Sequence, residues 1–239
     1  MSGHSKWATT KHKKGVLDAK RGKIFTKIVR EISSAVKLGG KDINSNPRLR
    51  LAIQNAKAVN MPKENIENAI SKKDNIVYEN VIYEGNASCG SAFIIQCLTD
   101  NINRTVGEIR TLFTRHNGNL GKSGSVSYNF DKMGVFSVDK DTIRSIDELL
   151  LEGIDYGIEN IDTESENDST YIIGGYENFF NIQQFLESKK ISIKEANLEY
   201  IPKMAVQLTG ENYEKILNFI EALENLDDVQ NVFHNVQLI

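Results

Sequence analysis

At 239 residues, 40% apolar and 26% charged, the chain has the composition of a soluble globular protein, with room for one large domain or a few small ones of roughly 100–200 residues or fewer, and not that of a disordered or fibrous one. Its 29 basic and 32 acidic side chains nearly cancel, yet they are segregated: residues 1–75 carry 17 basic and 6 acidic residues, residues 76–239 carry 12 and 26. No apolar run approaches the roughly 18 residues of a membrane span, and no secretory leader pattern stands at the N-terminus, so a cytoplasmic protein with no membrane contact is expected.

The first thirty residues set nine Lys and Arg against a single acid, Asp18. Residues 1–22, with Gly3, Gly15 and Gly22 among polar side chains, read as an arm leading into helix. Such a cluster attracts polyanions by Coulomb steering and counterion release, and the candidate contacts are Lys6, Lys11, Lys13, Lys14, Lys20, Arg21, Lys23, Lys27 and Arg30, with Trp7 and His12 interleaved. Trp7 would either stack on an unpaired base or pin the arm to the domain behind it. From Lys23, the residues Ile24, Phe25, Ile28, Val29, Ile32 and Val36 recur at helical spacing opposite a stripe of Lys20, Lys23, Lys27 and Arg30. Gly39-Gly40 should end this helix. Asn46-Pro47 should cap and start a second, with Leu49, Ala52, Ile53 and Ala56 buried, and Pro62 a third, with Ile66, Ala69 and Ile70 inside.

After Asp74 the period becomes alternating. Residues Val77–Tyr83 and Ala92–Leu98 read as strands, Thr99–Asn117 as a helix, and Ser125–Phe130 as a strand after the Gly/Ser-rich loop. Then follow strand Val135–Val138, helix Thr142–Glu152, strand Ile158–Asp162, strand Thr170–Ile173, helix Glu177–Lys189 and strand Ile191–Tyr200, the βαββαβ order of a ferredoxin-like domain. The tail supplies strand Met204–Leu208, helix Glu211–Leu226 and strand Val229–Val236. The expected architecture is α+β and multidomain: a basic arm and helical domain over 1–75, an α/β-sandwich domain assembled from 76–133 plus 203–239, and a ferredoxin-like α/β domain inserted at 134–202.

Several chemical motifs fail on spacing. Gly118–Ser125 (GNLGKSGS) imitates a phosphate-binding loop, but the required first glycine is His116, and a strand rather than a helix follows. His4, His12, His116 and His234 form no ligand pairs, and Cys89 and Cys97 fit neither a metal site nor a disulfide framework. They read as buried thiols. No nucleophile–base pair is evident, so no catalytic residue, metal or cofactor is assigned, and acids such as Asp147-Glu148 and Asp227-Asp228 read as surface residues of turns and helix starts. Arg104, Arg110 and Arg115 would extend a phosphate-contacting face or simply solvate their helix. The link from Gly39 to Asn46 is longer than the 3–4-residue turn of a helix-turn-helix, and phosphate contacts carry no sequence information.

The strings GHSKWATTKHKK, DAKRGKIFTKIVREI, NPRLRLAIQNAKAVNMPKENIENAI, CLTDNINRTVGEIR and DDVQNVFHNV resemble the YebC/PmpR family essentially end to end. The resemblance implies a helical N-terminal domain and two α/β domains, the third inserted in the second. It implies a DNA-binding transcriptional regulator, as bacterial members are usually described, or a translation factor bound to ribosomal RNA at the ribosome, as the mitochondrial translational activator of cytochrome c oxidase subunit I suggests. It brings no catalytic residues. The family's glycine-rich linker before the first strand is replaced by KKDNIVYEN, and its glycine- and proline-rich loop by Tyr83–Gly90, with fewer glycines and no proline. Nucleic acid is the expected partner of the basic end. A basic protein is a candidate partner for the acidic body.

Overall fold

The computed structural model describes residues 17–72, 76–164 and 169–238. Near its N-terminal end, α1 (Leu17–Gly39), α2 (Pro47–Ala58) and α3 (Lys63–Ser71) bury Ile32, Ala35, Leu49, Ala52, Ile53, Ala56, Met61, Ile66 and Ala69 against one another. Asn46 joins the first two helices. Its side chain accepts from Leu49 N (3.0 Å), capping α2, while its amide donates to the carbonyls of Ala35 and Gly40 (both 2.8 Å). Gly40 takes φ +82, the left-handed conformation that a glycine reaches without a Cβ penalty, and closes α1 through its N–H to Val36 O. Arg48 adds a two-pronged ion pair to Glu31 (2.7 and 3.0 Å). On α1, Ile24 is exposed rather than buried, so the packed face of this helix begins at Phe25.

The chain divides into two compact units: one runs to Asp131 and resumes at Pro202, the other is Lys132–Ile201. Beyond the three helices, the first unit holds β1 (Glu79–Asn86), β2 (Ala92–Thr99), α4 (Ile102–Arg115), β3 (Asn119–Leu120), β8 (Val206–Leu208), α7 (Gly210–Glu224), β9 (Val229–His234) and β10 (Val236–Leu238). Its main sheet has the order β3-β1-β2-β9. β1 and β2 are an antiparallel hairpin with Tyr83 opposite Ile95. β2 is central and almost wholly buried, as a strand covered on both faces must be. Phe93, Ile95 and Cys97 on β2 meet Ile109 and Phe113 of α4 and Ile216, Phe219, Ile220 and Leu223 of α7. Phe93, Phe113 and Phe219 form edge-to-face pairs with ring centroids 4.9–6.2 Å apart, a geometry that adds about 0.5–1.5 kcal/mol per pair beyond area burial. Gly85 is required here, because a Cβ would fall 2.5 Å from the Phe113 ring.

The second unit contains β4 (Phe130–Asp139), which starts in the first, then α5 (Ile146–Gly153), β5 (Ile158–Glu164), β6 (Ser169–Gly175), α6 (Phe179–Ser188) and β7 (Ile193–Pro202). The sheet order β5-β6-β4-β7, with β4–β6 and β5–β6 antiparallel, is that of a ferredoxin-like fold. Ser145 caps α5, and Phe136 packs on Phe179 at 4.7 Å. The protein is therefore α+β and multidomain, with a helical N-terminal part and one α/β part inserted in another.

Two expected strands differ. Ser125–Phe130 is not a strand: a short 3-10 turn occupies Ser127–Asn129 and β4 begins at Phe130, because the amides of this loop are directed at a carboxylate described below. Val229–Val236 is split at Asn235, whose side chain accepts from Ala92 N (2.8 Å) while its carbonyl accepts from Val206 N (2.7 Å). The strand thereby leaves β2 and continues as β10, parallel to β8.

Candidate nucleic-acid interface

The cationic stripe of α1 is the starting point. Residues three and four apart share a helix face, which puts Lys23, Lys27 and Arg30 in one row, and in the structure this row lies along the C-terminal end of α7 and the turn into β9. Lys23 Nζ donates to the carbonyl (3.0 Å) and side-chain oxygen (3.1 Å) of Asn225, and Lys27 Nζ to the Glu224 carbonyl (2.9 Å). Arg30 donates to the Asp227 carbonyl (2.8 Å) and to Asp228 Oδ1 (2.6 Å), and its guanidinium lies 5.7 Å from the Tyr78 ring centroid. The last carbonyls of a helix lack intrahelical partners and carry the negative end of its dipole. Two cations, Lys23 and Lys27, serve this end of α7, while Arg30 holds the turn that follows it. Desolvation lowers the pKa of Lys27, with neighbouring Lys23 adding to the effect and Glu224 and Asp227 opposing it.

Asp228 is the hub of this junction. It is 3% exposed and, besides Arg30, accepts from Thr99 Oγ1 (3.0 Å), Thr105 Oγ1 (2.7 Å) and Arg104 Nη2 (2.8 Å). Burial alone would raise its pKa; the bonds from Arg104, Thr105, Arg30 and Thr99 outweigh burial and hold it at about 2. Arg104 also bonds Asp100 (2.7 Å), and these two partners raise its pKa. The expectation that Asp228 is a turn-surface acid is thus corrected. Arg104 is committed to carboxylates within the fold, while Arg110 and Arg115 are exposed on α4.

A second carboxylate explains the loop that imitates a phosphate cradle. Glu84, 5% exposed, accepts from the backbone N–H groups of Gly124 (2.8 Å), Val126 (2.7 Å) and Ser127 (2.9 Å). Convergent amides make an anion-binding concavity, and here it is filled from within. Burial pushes the Glu84 pKa up, the amide bonds push it further down, and the net direction is down.

Lys6, Trp7, Lys11, His12, Lys13 and Lys14 lie outside the described residues, and Lys20 and Arg21 lie on α1 near its start with their side chains outside those described. Of the two thiols expected to be buried, only Cys97 is; Cys89 is exposed at φ +62 in the β1–β2 turn. Burial, with Asp228 adding to it, pushes the Cys97 pKa up to about 12. Among the described residues there is no group of three or more His, Cys, Asp or Glu placed to hold a metal ion, and no helix long and apolar enough to cross a membrane. The length of one short connection is not marked by a local sequence signal: only Val59–Pro62 separates α2 from α3, the turn length of a helix-turn-helix. Glu64 and Glu67 are exposed on α3, an unfavourable charge for a helix entering a DNA groove.

These features define a class: a multidomain α+β protein whose basic first helix is seated on an α/β unit that carries a ferredoxin-like insertion. Family models described as "TACO1/YebC protein N-terminal domain" and "TACO1/YebC second and third domain" match residues 5–75 and 78–236, and the chain belongs to the TACO1/YebC family. It is 49% identical to a "Probable transcriptional regulatory protein" of Amoebophilus asiaticus, over 99% of this chain and 98% of that one. It is 46% identical to a protein of the same description from Thermotoga maritima, over 100% and 94%. The crystal structure of a conserved hypothetical protein from Aquifex aeolicus superposes with a TM-score of 0.82 at 42% identity, covering 98% of each chain.

Proposed function

We propose that this protein is a non-enzymatic, nucleic-acid-binding regulator of gene expression, a DNA-binding transcriptional regulator whose basic N-terminal arm and first helix grip phosphates. One observation carries the reading: nine cations against one acid in the first thirty residues, on a chain whose remainder is acidic. Lys6, Lys11, Lys13, Lys14, Lys20 and Arg21 supply the primary phosphate contacts, with His12 beside them and Trp7 stacking on an exposed base. The description of the relatives as probable transcriptional regulatory proteins agrees with this role. The acidic body limits indiscriminate coating of nucleic acid and offers a surface to a basic protein partner, since residues 132–201 hold 15 acids against 6 basic side chains.

A second reading, a translation factor bound to ribosomal RNA, is favoured by one feature: the acids on α3 argue against a recognition helix in the major groove, and an arm that contacts phosphates suits structured RNA equally well. Sedimentation of a cell lysate through a gradient at moderate salt, with and without DNase or RNase, separates the two. Transcriptional regulation predicts migration with DNA, lost only to DNase; co-migration with ribosomal subunits, abolished by RNase, replaces it with the translation reading. In either case Lys11→Glu/Lys13→Glu/Lys14→Glu should abolish binding and leave the melting temperature unchanged. Full binding by that variant at physiological salt overturns the arm as the site.

A further inference from the structure

We infer that Lys23 and Lys27 are shared cations, which cap the C-terminal end of α7 in the free protein and transfer to nucleic-acid phosphates on binding, while Arg30 stays behind as the anchor of α1. The inference rests on the arm-and-helix reading above and adds a competition within the same site. It starts from an asymmetry among Lys23, Lys27 and Arg30, the three cations of the stripe whose side chains are described. Arg30 has a carboxylate partner at 2.6 Å, a backbone carbonyl and an aromatic ring, and its departure would leave Asp228, the buried member of the pair, without one of its two guanidinium partners, which is strongly penalised. The hydrogen bonds of Lys23 and Lys27 go to neutral oxygens, the carbonyls of Asn225 and Glu224 and the Asn225 side chain. A phosphate is the stronger acceptor, because its full negative charge adds a Coulomb attraction to the ammonium that a neutral carbonyl, already bonded by a charged donor, does not supply.

Release is also easy for what is left behind. Asn225 and Glu224 stand exposed at the end of α7, so their carbonyls can take water when the lysines leave. Lys27 is the more burdened of the two, its pKa lowered by desolvation, and transfer to a phosphate relieves that burden. Lys23 lies three residues beyond Lys20 on α1, and Lys27 four further, a rise of about 10 Å from Lys20 to Lys27. A nucleic-acid backbone laid along this face of α1 would therefore meet Lys23 and Lys27 one helical turn apart. Nucleic-acid binding at the basic end thereby removes the cap of a helix whose other residues build the α/β core, and so couples the site to the body.

The test uses the full chain and fluorescence anisotropy with a short fluorescein-labelled DNA duplex and an RNA duplex of the same sequence, titrated over a range of KCl. Each phosphate contact contributes about 0.9 to the slope of log K against log salt on duplex DNA, so Lys23→Gln/Lys27→Gln should flatten the slope by about 2. Glu224→Lys, at an exposed position where a cation suits the helix dipole, repels both lysines from α7 and should tighten binding several-fold. That gain should vanish when Glu224→Lys is added to the double glutamine variant. A native slope in the double glutamine variant overturns the inference, as does an equal gain from Glu224→Lys in both backgrounds, which would be the added charge alone. The arm variant Lys11→Glu/Lys13→Glu/Lys14→Glu tells the two failures apart. If it loses binding while the double glutamine variant keeps its slope, only the sharing is wrong; if it binds like the native protein, the reading of the site itself fails.

Discussion

The junction around Asp228 and the loop around Glu84 both enclose a carboxylate nearly cut off from water, and both hold it ionised, but with opposite kinds of donor. Asp228 draws on two guanidinium groups and two hydroxyls from β2, α4 and α1; Glu84 draws on three backbone amides of one loop. Charged donors on long side chains reach across the fold, so the Asp228 cluster joins a helix near the N-terminus to a turn near the C-terminus. Amides reach only as far as their own backbone, so the Glu84 cluster shapes a loop. The first is a tie between parts of the first unit, the second a local mould.

The largest effect should come from cutting the tie. Asp228→Ala takes the shared acceptor from partly buried Arg30 and from the hydroxyls of Thr99 and Thr105, while half-exposed Arg104 keeps Asp100, and should cost about 3 kcal/mol of stability in urea unfolding. Glu84→Ala strands neutral amides only, which corresponds to about 1–3 kcal/mol. Its signature should be local, with faster amide exchange at Gly124, Val126 and Ser127 and little change in α1.

Acid sharpens the same contrast. The folded pKa of Asp228, about 2, lies below its ordinary 3.8, and a depressed carboxylate contributes stability above its unfolded pKa that is lost as pH falls through the folded one. Between about pH 4 and pH 2 the native protein should therefore lose more stability than Asp228→Asn, measured by circular dichroism at fixed urea. An Asp228→Asn protein that tracks the native curve would remove Asp228 from the acid response. Thiol chemistry reports on the junction more gently: Cys89 should react with a disulfide reagent in the native protein and Cys97 only on unfolding, with Asp228→Asn bringing the second reaction forward. Smallest of all is Lys63→Ala, which removes an exposed i,i+4 pair with Glu67 and should leave the melting temperature within experimental scatter.

Much of the fold was legible because its signals are local. The helical spacing of Ile28, Ile32 and Val36, the cap at Asn46 with Pro47 behind it, and the βαββαβ order of the inserted part are each written within a few residues or a few dozen. The split at Asn235 and the missing strand at Ser125 were not legible, since in both a polar group answers to a partner far along the chain. The candidate site was legible only in part. Charge clustering identified the basic row on α1, but nothing local distinguishes Asp228 from its neighbour Asp227, although the strings CLTDNINRT and DDVQNV that carry the family resemblance contain Thr99, Arg104, Thr105 and Asp228.

By itself, then, the sequence determined where cations gather, which faces are apolar and where helices begin and end, because these follow from residue type and short-range spacing. Only the tertiary structure decided which cations are already partnered. Lys23 and Asn225 are 202 residues apart, and a hydrogen bond over that separation exists only once the hydrophobic packing of α7 on β2 has carried the end of one helix to the side of another.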